Sequence, residues 1–519
     1  MHAAHRPDCR GHCHAIFGSG RVRQHAVGQN FPEPLTIRIP APNPERVQLS
    51  GDRVEDSPSS EFSSLPLHPA LLQAVASLNY ERMTPIQALS LPPMLAQRDV
   101  IGQARTGSGK TAAYGLGLLS RIDPELNKVQ ALVLCPTREL ADQIAKEIRR
   151  LARCLPNIKL TILSGGIDKR PQLASLEHDP HIVVGMAGRV QEHLALGTLK
   201  LDHLKVLVLD EADRMLDSDF EEATREIVLQ APKTRQTLFF SATFPESVRA
   251  LSHKLQKQPL EVTVDTAAAA PEVQQHFYSV DPERRLTALA HLLSVHRPES
   301  ALVFCHTKRD AQDVERQLAQ RGFSVLGLHG DIEQRERDEV LERFANGSCR
   351  VLVATDVAAR GLDIKTLAAV ISYELPSDAD VHVHRVGRTG RAGSSGLALH
   401  LCSPREGERL AAIEQRLGIQ IKLQKLPMTA LSPDRPLPAT VVTLCIDGGR
   451  RDKLRPGDVL GALTGEAGLV KEAIGKINTY DTRTYVAIDK KLAKRALQRL
   501  REGKIKGKNF RVRPIGWDG

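Results

Sequence analysis

The 519-residue sequence lacks the features that would place it in a membrane or outside the cell. No run approaches the ~18 uninterrupted apolar residues that a membrane-spanning helix needs. The N-terminus also has no basic-then-apolar secretion signal. The 8 cysteines are scattered, which is typical of a reducing compartment and not of a disulfide framework. We therefore expect a cytoplasmic protein with no membrane partner.

Metal-ligating residues are also sparse. Their densest group lies near the N-terminus and consists of His5, Cys9, His12, Cys13 and His14. No second pair of ligands follows at the spacing of a zinc finger, so the pattern does not favour a zinc site.

Acidic residues are scarce only at the C-terminal end. The composition is 41% hydrophobic and 25% charged, which is close to the globular average and excludes wholesale disorder or a fibrous fold. Of the 71 Lys and Arg residues, 18 lie between residues 441 and 519, together with only 9 of the 61 Asp and Glu residues. The remaining 440 residues are therefore almost neutral. A basic end on a neutral body indicates either a polyanion-binding module or a solvated basic face.

The hydrophobic pattern divides the chain into segments. Residues 1–58 show no sustained period and predict a disordered leader. In residues 59–265 and again in 272–425, short apolar runs alternate with amphipathic segments, which predicts two tandem α/β lobes with parallel sheets. Residues 266–271 predict a linker, and the proline-rich segment 426–439 predicts a spacer. The predicted strands are 99–104, 130–135, 181–186, 206–210 and 237–241 in the first lobe and 300–305, 324–328, 350–355, 368–373 and 396–402 in the second.

Residues 440–515 predict a third domain. Their strand, helix, strand, strand, helix, strand order matches the α+β arrangement of RRM-like RNA-binding domains. The third strand, predicted over 484–488, has isoleucine where such domains carry their last base-stacking aromatic. We therefore expect RNA binding that depends on basic side chains. The candidates form two groups, Arg450, Arg451, Lys453 and Arg455 in one loop and Lys504, Lys506 and Lys508 in another.

A phosphate-binding loop follows the first predicted strand. The sequence ARTGSGKT spans residues 104–111 and precedes a helical run over 112–122. Glycines let backbone N–H groups surround phosphate oxygens, the lysine reaches the β- and γ-phosphates, and the threonine hydroxyl binds Mg²⁺. The first position is alanine where the strict pattern has glycine. The predicted phosphate-binding residues are Thr106, Gly107, Ser108, Gly109, Lys110 and Thr111.

Paired carboxylates end the strand 206–210. Asp210, Glu211 and Asp213 would lie at the carboxyl edge of the sheet, beside the phosphate loop. Asp210 could hold Mg²⁺ through water while Glu211 orients an attacking water. The alternative is an acidic turn that opens a helix, which the nearby phosphate loop disfavours.

Residues 210–213 spell DEAD, and from residue 62 to about 402 the chain resembles the DEAD-box RNA helicases. The resemblance implies two RecA-like lobes that bind ATP, Mg²⁺ and RNA and separate strands locally. It also implies roles for further residues: adenine contact by Phe62 and Gln87, ribose contact by Asp363, and arginine fingers at Arg388 and Arg391. Implied RNA contacts are Arg138, Gly166, Arg189, Gln334, Arg337 and Thr355, and implied coupling residues are Asp213, Ser241, Thr243 and His384. One departure concerns Met186 and Ala187, which stand where the family usually has threonine and proline.

The C-terminal domain resembles that of one bacterial branch of this family. This implies targeting to a hairpin of large-subunit ribosomal RNA in pre-ribosomal particles during ribosome assembly. We expect a monomer that does not act on DNA. Two alternatives stay open from the sequence. The first, suggested by the altered segment 186–189, is a protein without strand separation: an ATP-gated RNA clamp, or a scaffold recruited by the C-terminal domain. The second is a phosphate-loop ATPase that acts on DNA or protein.

Overall fold

The computed structural model describes residues 35–37, 60–104, 107–166, 168–215, 218–244, 246–264, 273–359, 367–390, 396–426, 436–465 and 468–516. Several predictions lie outside these residues: the linker 266–271, the N-terminal His and Cys group, Thr106, Asp363 and Arg391. None of the helices in the described part is both long and apolar enough to cross a membrane.

The first lobe is a parallel sheet covered by helices on both faces. After the edge strand β1 (Leu35–Ile37), which belongs to the other lobe, its strands are β2 (Val100–Gln103), β3 (Ala131–Leu134), β4 (Leu160–Leu163), β5 (Ile182–Gly185), β6 (Val206–Asp210), β7 (Gln236–Ser241) and β8 (Leu260–Thr263). They lie in the order β4-β5-β3-β6-β7-β2-β8, with every neighbouring pair parallel. Its helices are α1 (Pro69–Ser77), α2 (Pro85–Leu95), α3 (Lys110–Leu119), α4 (Arg138–Leu151), α5 (Arg170–Leu176), α6 (Ala187–Ala195), α7 (Ser218–Gln230) and α8 (Glu246–Leu255).

Burial explains why the central strands were readable from the sequence. Strands β3, β5 and β6 are buried at every position, and strands covered on both faces read as continuous apolar runs. Helix α4 is positioned by a capping residue, because the Thr137 side chain accepts a hydrogen bond from the Leu140 backbone N–H at 3.3 Å. The short strands β4 and β8 are not among the predicted strands, because each lies at a sheet edge and keeps half-buried positions.

The second lobe repeats this architecture. Its strands are β9 (Val273–Ser279), β10 (Ala301–Cys305), β11 (Val325–Leu328), β12 (Val351–Thr355), β13 (Ala369–Ser372), β14 (Gly396–Cys402) and β15 (Gln424–Lys425). The sheet order is β1-β9-β14-β13-β10-β12-β11, and β15 also pairs with β9. Its helices are α9 (Arg285–His296), α10 (Lys308–Gln320), α11 (Gln334–Ala345), α12 (Asp356–Ala359), α13 (Ala379–Val386) and α14 (Gly407–Leu417). The prediction of two parallel-sheet lobes is confirmed.

Three residues of the predicted disordered leader, residues 1–58, form strand β1. Leu35–Ile37 pairs antiparallel with β9, with Thr36 opposite Gln274. The edge of a sheet offers unpaired backbone groups to any short β-prone segment. A three-residue strand is too short for a periodic signal, and therefore the sequence pattern could not predict it.

The third domain is the predicted α+β domain. Its strands are β16 (Val441–Ile446), β17 (Ile474–Thr479), β18 (Thr484–Asp489) and β19 (Val512–Ile515), and its helices are α15 (Pro456–Thr464) and α16 (Ala493–Glu502). The antiparallel order β17-β18-β16-β19 leaves one sheet face packed on the two helices through Leu444, Val486 and neighbouring apolar residues. We call this unit, residues 440–515, the tail domain.

Buried histidines in the second lobe predict acid sensitivity. His382 and His400 lie 4.7 Å apart between ring centroids beside Phe277. Burial lowers the pKa of His382 to about 3 and that of His400 well below its usual value. The unfolded chain therefore binds more protons than the folded chain once the pH falls below about 6.5. Each neutral, buried histidine is therefore compatible with the fold above about pH 6.5, and the free energy of unfolding decreases as the pH falls below this value.

We expect the free energy of unfolding of the second lobe to fall by about 2 kcal/mol per such histidine between about pH 7.5 and pH 5. Hydrogen exchange, corrected for the intrinsic pH dependence of the exchange rate, measures this. Strand β14 should lose more protection than strand β3 of the first lobe. Equal losses in the two strands would contradict the prediction.

Candidate nucleotide and RNA sites

The phosphate loop connects β2 to α3. Gly107 and Gly109 have φ angles of 82° and 94°, a region that glycine adopts without a Cβ clash. The Lys110 ammonium donates to the Ala104 carbonyl at 2.6 Å. The Ser108 hydroxyl is buried and has no hydrogen-bond partner among the described residues. The loop therefore presents a helix N-terminus, a lysine and a hydroxyl to one place, as anion binding requires.

Gln87 fixes the end of this loop. Its side-chain oxygen accepts from the Thr84 backbone N–H at 2.9 Å, and its amide donates to the Gly109 carbonyl at 3.2 Å. A Cβ at Gly109 would lie 2.6 Å from the Gln87 amide nitrogen, so this glycine is required by space as well as by φ. Phe62, the predicted adenine-stacking residue, is 5% exposed and packs in the core of the first lobe.

Asp210 and Glu211 follow β6, as predicted. Asp210 is fully buried, and burial raises the pKa of its carboxyl group to about 6, while the Lys110 ammonium acts in the opposite direction. Tyr114 on α3 donates to Asp210 at 2.7 Å. Tyr114 was not among the predicted site residues, although its place one helical turn after Lys110 puts both on one face of α3. Glu211 has φ 54°, a left-handed conformation that turns the chain sharply after the strand.

Three of the predicted coupling residues form one hydrogen-bonded group. The Thr243 hydroxyl donates to the Asp213 carboxylate at 2.6 Å, and the Asp213 backbone N–H donates to the Ser241 hydroxyl at 3.4 Å. The end of β7 is thereby connected to the turn that carries Glu211. His384 lies on α13 and is not among the residues that line the cavity described next.

A cavity of about 950 Å³ is lined by residues of both lobes and, at its other end, by tail-domain residues such as Arg450 and Tyr480. Lys110, Thr111, Asp210 and Glu211 line it from the first lobe, and Arg388 lines it from the second. Arg388 is 7% exposed. The structure therefore brings a buried guanidinium of one lobe to the phosphate loop of the other.

A second arginine, Arg385 on α13, is held in a fixed orientation. Arg385 donates to both oxygens of Asp356 at 2.8 and 2.7 Å and to the Glu374 carbonyl at 2.7 Å. It is 1% exposed and lies over the Phe304 ring. Arg385 anchors the start of α12 to α13, three residues before Arg388. Its position in the motif was visible in the sequence, but its partner, 29 residues away, was not.

The predicted RNA contacts of the two lobes meet at the seam between them. Arg337 on α11 pairs with Glu139 on α4 and donates to the Ala358 carbonyl at 2.7 Å. A Cβ at Gly166 would lie 3.7 Å from the side-chain oxygen of Gln334. The lobes are therefore in a closed arrangement in the structure.

Two other predicted RNA-contact residues have buried hydrogen-bond donors that no described residue pairs. One guanidinium nitrogen each of Arg138 and Arg189 is buried without a hydrogen-bond partner in the described part of the chain. Arg189 also pairs with Glu192 at 3.1 Å, and both residues lie on helix α6. This helix begins at Ala187, the position where the family usually has proline. Thr355 ends β12 and caps α12, since its hydroxyl accepts from the Ala358 backbone N–H at 3.3 Å.

The two basic groups of the tail domain are adjacent. The Lys506 ammonium donates to the Lys453 carbonyl at 3.0 Å and lies 3.7 Å from the Asp458 carboxylate. The predicted contacts are all exposed: Lys453, Arg455, Lys504, Lys506 and Lys508. Groups 50 residues apart in sequence thus form one positively charged surface.

Comparison with known proteins gives three family matches in chain order. The DEAD/DEAH box helicase model matches residues 84–251, the helicase conserved C-terminal domain model residues 284–393, and the DbpA RNA binding domain model residues 443–514.

Among described residues no group of three or more His, Cys, Asp and Glu side chains forms a metal cluster.

Similar proteins cover both the helicase lobes and the whole chain. The Escherichia coli ATP-dependent RNA helicase DbpA is 53% identical over 453 residues, which is 87% of this chain and 99% of the relative. The DEAD-box ATP-dependent RNA helicase CshA of Bacillus cereus is 42% identical over 355 residues, 68% of this chain and 67% of CshA. A solved structure of S. cerevisiae Dbp5 bound to RNA and ADP BeF3 has a TM-score of 0.64 at 29% identity, and covers 71% of this chain and 96% of that one. With helicase lobes, a matching tail domain and a relative of 53% identity that it covers almost completely, the chain belongs to the DEAD-box ATP-dependent RNA helicases and is DbpA-like.

Proposed function

We propose that this helicase is an RNA-stimulated ATPase that remodels structured large-subunit ribosomal RNA during ribosome assembly, and that the tail domain targets it to an RNA hairpin. The observation that carries the proposal is the composite cavity, which Arg388 of the second lobe lines together with Lys110 and Glu211 of the first. A site divided between two lobes is complete only when they close. RNA that contacts both lobes favours the same closed state as ATP, so each ligand strengthens the binding of the other.

The proposed hydrolytic roles follow from position and charge. Lys110 and the N-terminus of α3 hold the β- and γ-phosphates. Glu211 orients the attacking water and accepts its proton. Arg388 and Arg391 stabilise the charge that develops on the transferring phosphate. Gln87 and Phe62 contact the adenine and Asp363 the ribose.

The donors beside the phosphate loop suit Mg²⁺. Mg²⁺ prefers oxygen ligands, and the Thr111 hydroxyl and the Asp210 carboxylate supply them from α3 and β6. A nearby cation would also keep Asp210 ionised against the effect of its burial, which raises its pKa to about 6. When bound, the ion neutralises charge on the phosphates during transfer.

RNA discrimination is proposed at two levels. The lobe contacts Arg138, Gly166, Arg189, Gln334, Arg337 and Thr355 are expected to bind backbone and 2′-hydroxyl groups without reading sequence. The basic surface of the tail domain then supplies the choice of hairpin. The family assignment favours strand separation over the clamp alternative and over a DNA- or protein-directed ATPase.

Removal of three tail lysines tests the targeting. We expect the triple substitution Lys504→Ala, Lys506→Ala and Lys508→Ala to weaken binding of a large-subunit rRNA hairpin about tenfold or more, and to reduce the slope of log affinity against log salt by about 2–3. Fluorescence anisotropy of the labelled hairpin across a salt series measures both quantities.

The matched control removes three exposed lysines elsewhere in the tail domain, at positions 490, 491 and 494. This control should affect cognate and scrambled-loop hairpins alike and only weakly. If both triple variants weaken hairpin binding equally, the basic surface has no specific role. As a second test, rRNA fragments should stimulate the ATPase of the full chain more strongly than that of a chain ending at residue 439.

A further inference from the structure

The outer face of the tail sheet is buried. Thr443 and Cys445 of β16 point to this face, and Tyr485 of β18 lies opposite Cys445. RRM-like domains generally leave this face open and stack single-stranded RNA on it. Here Thr443 and Cys445 are 0% exposed and Tyr485 is 3% exposed. The face that would bind RNA is therefore covered by another part of the protein.

The covering element is helix α11 of the second lobe. The Tyr480 hydroxyl donates to the Glu342 carboxylate, and the Asn478 amide lies 3.0 and 2.7 Å from its two oxygens. Glu342 is 6% exposed. Burial and this carboxylate both raise the pKa of Tyr480, so its hydroxyl remains a donor. A buried carboxylate with three hydrogen bonds from one neighbouring domain is a specific contact.

The contact covers the C-terminal half of α11, from Glu339 onward, and the turn after the helix. Arg513 of β19 pairs with Glu339, near the middle of α11, at one end of this contact. At the other end the Thr443 hydroxyl accepts from the Asn346 amide at 2.9 Å and lies 2.7 Å from the Ser348 hydroxyl. The polar side chains of the sheet are thus paired with side chains of the second lobe.

The tail domain also reaches the first lobe. The Lys146 ammonium on α4 lies 5.8 Å from the centre of the Tyr480 ring, within the range of a cation–π contact. Tyr480 therefore contacts α11 of one lobe and α4 of the other. The same two helices meet directly through Arg337 and Glu139, so the tail domain lies across the seam that forms when the lobes close.

We propose that the outer sheet face of the tail domain is a docking surface for α11 and not an RNA platform, and that the docked tail stabilises the closed arrangement of the lobes. The tail domain contacts α11 of the second lobe whether the lobes are open or closed. Its contact with Lys146 of the first lobe forms only when the lobes are closed. A contact made in only one of two states shifts the equilibrium toward that state. By reciprocity, RNA that closes the lobes also strengthens tail docking. This role goes beyond hairpin targeting and does not depend on which RNA the tail binds.

The test uses the full chain and an unstructured oligouridylate that contains no hairpin. Glu342→Gln and Tyr480→Phe should each raise the RNA concentration for half-maximal ATPase about fivefold or more, without lowering turnover at saturating RNA. Because both substitutions break the same contact, the RNA concentration that the double variant needs for half-maximal ATPase should be no higher than that of the more affected single variant. Hydrogen exchange of residues 338–345 should be faster in each variant. Glu336→Gln on the exposed side of the same helix is the matched control and should change neither quantity.

The outcomes separate docking from RNA binding. If Tyr480→Phe raises the RNA requirement while Glu342→Gln does not, the sheet face is an RNA platform and the proposal is wrong. If α11 exchanges faster but the RNA requirement is unchanged, docking does not stabilise closure, and that half of the proposal fails. Loss of hairpin selectivity in the lysine variants would bear only on targeting, because the oligouridylate assay contains no hairpin.

Discussion

Replacing Glu211 with glutamine should reduce RNA-stimulated ATP turnover about 100-fold or more while ATP and RNA still bind. The substitution keeps the size and the turn after β6 but removes the group proposed to accept a proton from the attacking water, and such groups contribute about 10²–10⁴ in rate. The contacts of Lys110 with the Ala104 carbonyl and of Tyr114 with Asp210 do not involve the Glu211 side chain, and the Glu211 backbone N–H would still donate to Asp210 at 3.0 Å.

The measurement combines steady-state turnover at saturating RNA with equilibrium binding of a fluorescent nucleotide. Glu222→Gln on the exposed surface of α7 is the matched control and should leave turnover unchanged. Turnover of the Glu211 variant within a few-fold of the parent would show that another group activates the water. Joint loss of binding and turnover would indicate that the turn after β6 had been disrupted.

Replacing Arg388 with alanine should lower the maximal turnover by about 10³–10⁵, the usual contribution of an arginine finger. Arg388 belongs to the second lobe, whereas the phosphate loop belongs to the first. Nucleotide binding to the first lobe in the absence of RNA should therefore persist. Arg388→Lys should recover little, because an ammonium lacks the planar fork of donors that matches phosphate oxygens.

Stopped-flow or single-turnover hydrolysis at saturating RNA isolates the chemical step. Arg405→Ala, at an exposed position of the 3₁₀ helix Pro404–Glu406, serves as the control. The decisive comparison is between turnover with and without RNA. If Arg388→Ala slows both rates by the same factor, Arg388 acts in the open and closed states alike, and closure does not assemble the site.

The local sequence was sufficient to predict features that depend on a few neighbouring residues and on the backbone conformation they adopt. The phosphate loop needs glycines and a following helix, and the carboxylates after β6 need a buried strand before them. Both were predicted from the spacing and are found at the same sheet edge. The alternation of apolar runs likewise predicted β6 and β14 with their observed bounds, because β6 is buried at every position and β14 at all but Leu397.

Long-range partners were not predictable in the same way. Tyr114 lies beside Asp210 only because α3 packs against the sheet, although 96 residues separate them. Gln87 was assigned to adenine by resemblance, and its contact with Gly109 became visible only in the structure. The strands β1, β4 and β8 were not predicted because edge strands carry little hydrophobic signal. Strand β15 has only two residues, and the interior strand β9 was also missed, because Gln274, Gln275 and His276 interrupt its apolar run.

By itself the sequence determined two α/β lobes with parallel sheets, a phosphate loop in the first of them and a basic RRM-like C-terminal domain, because these depend on residue types at short spacing. Only the tertiary structure decided which surfaces are free. It places Arg388 in the cavity that the phosphate loop of the other lobe also lines, joins the two lysine-containing groups of the tail domain, and covers the outer face of the tail sheet with α11. The physical reason is that burial and pairing depend on elements far apart in the chain, and a pattern of local propensities carries no information about which of them meet.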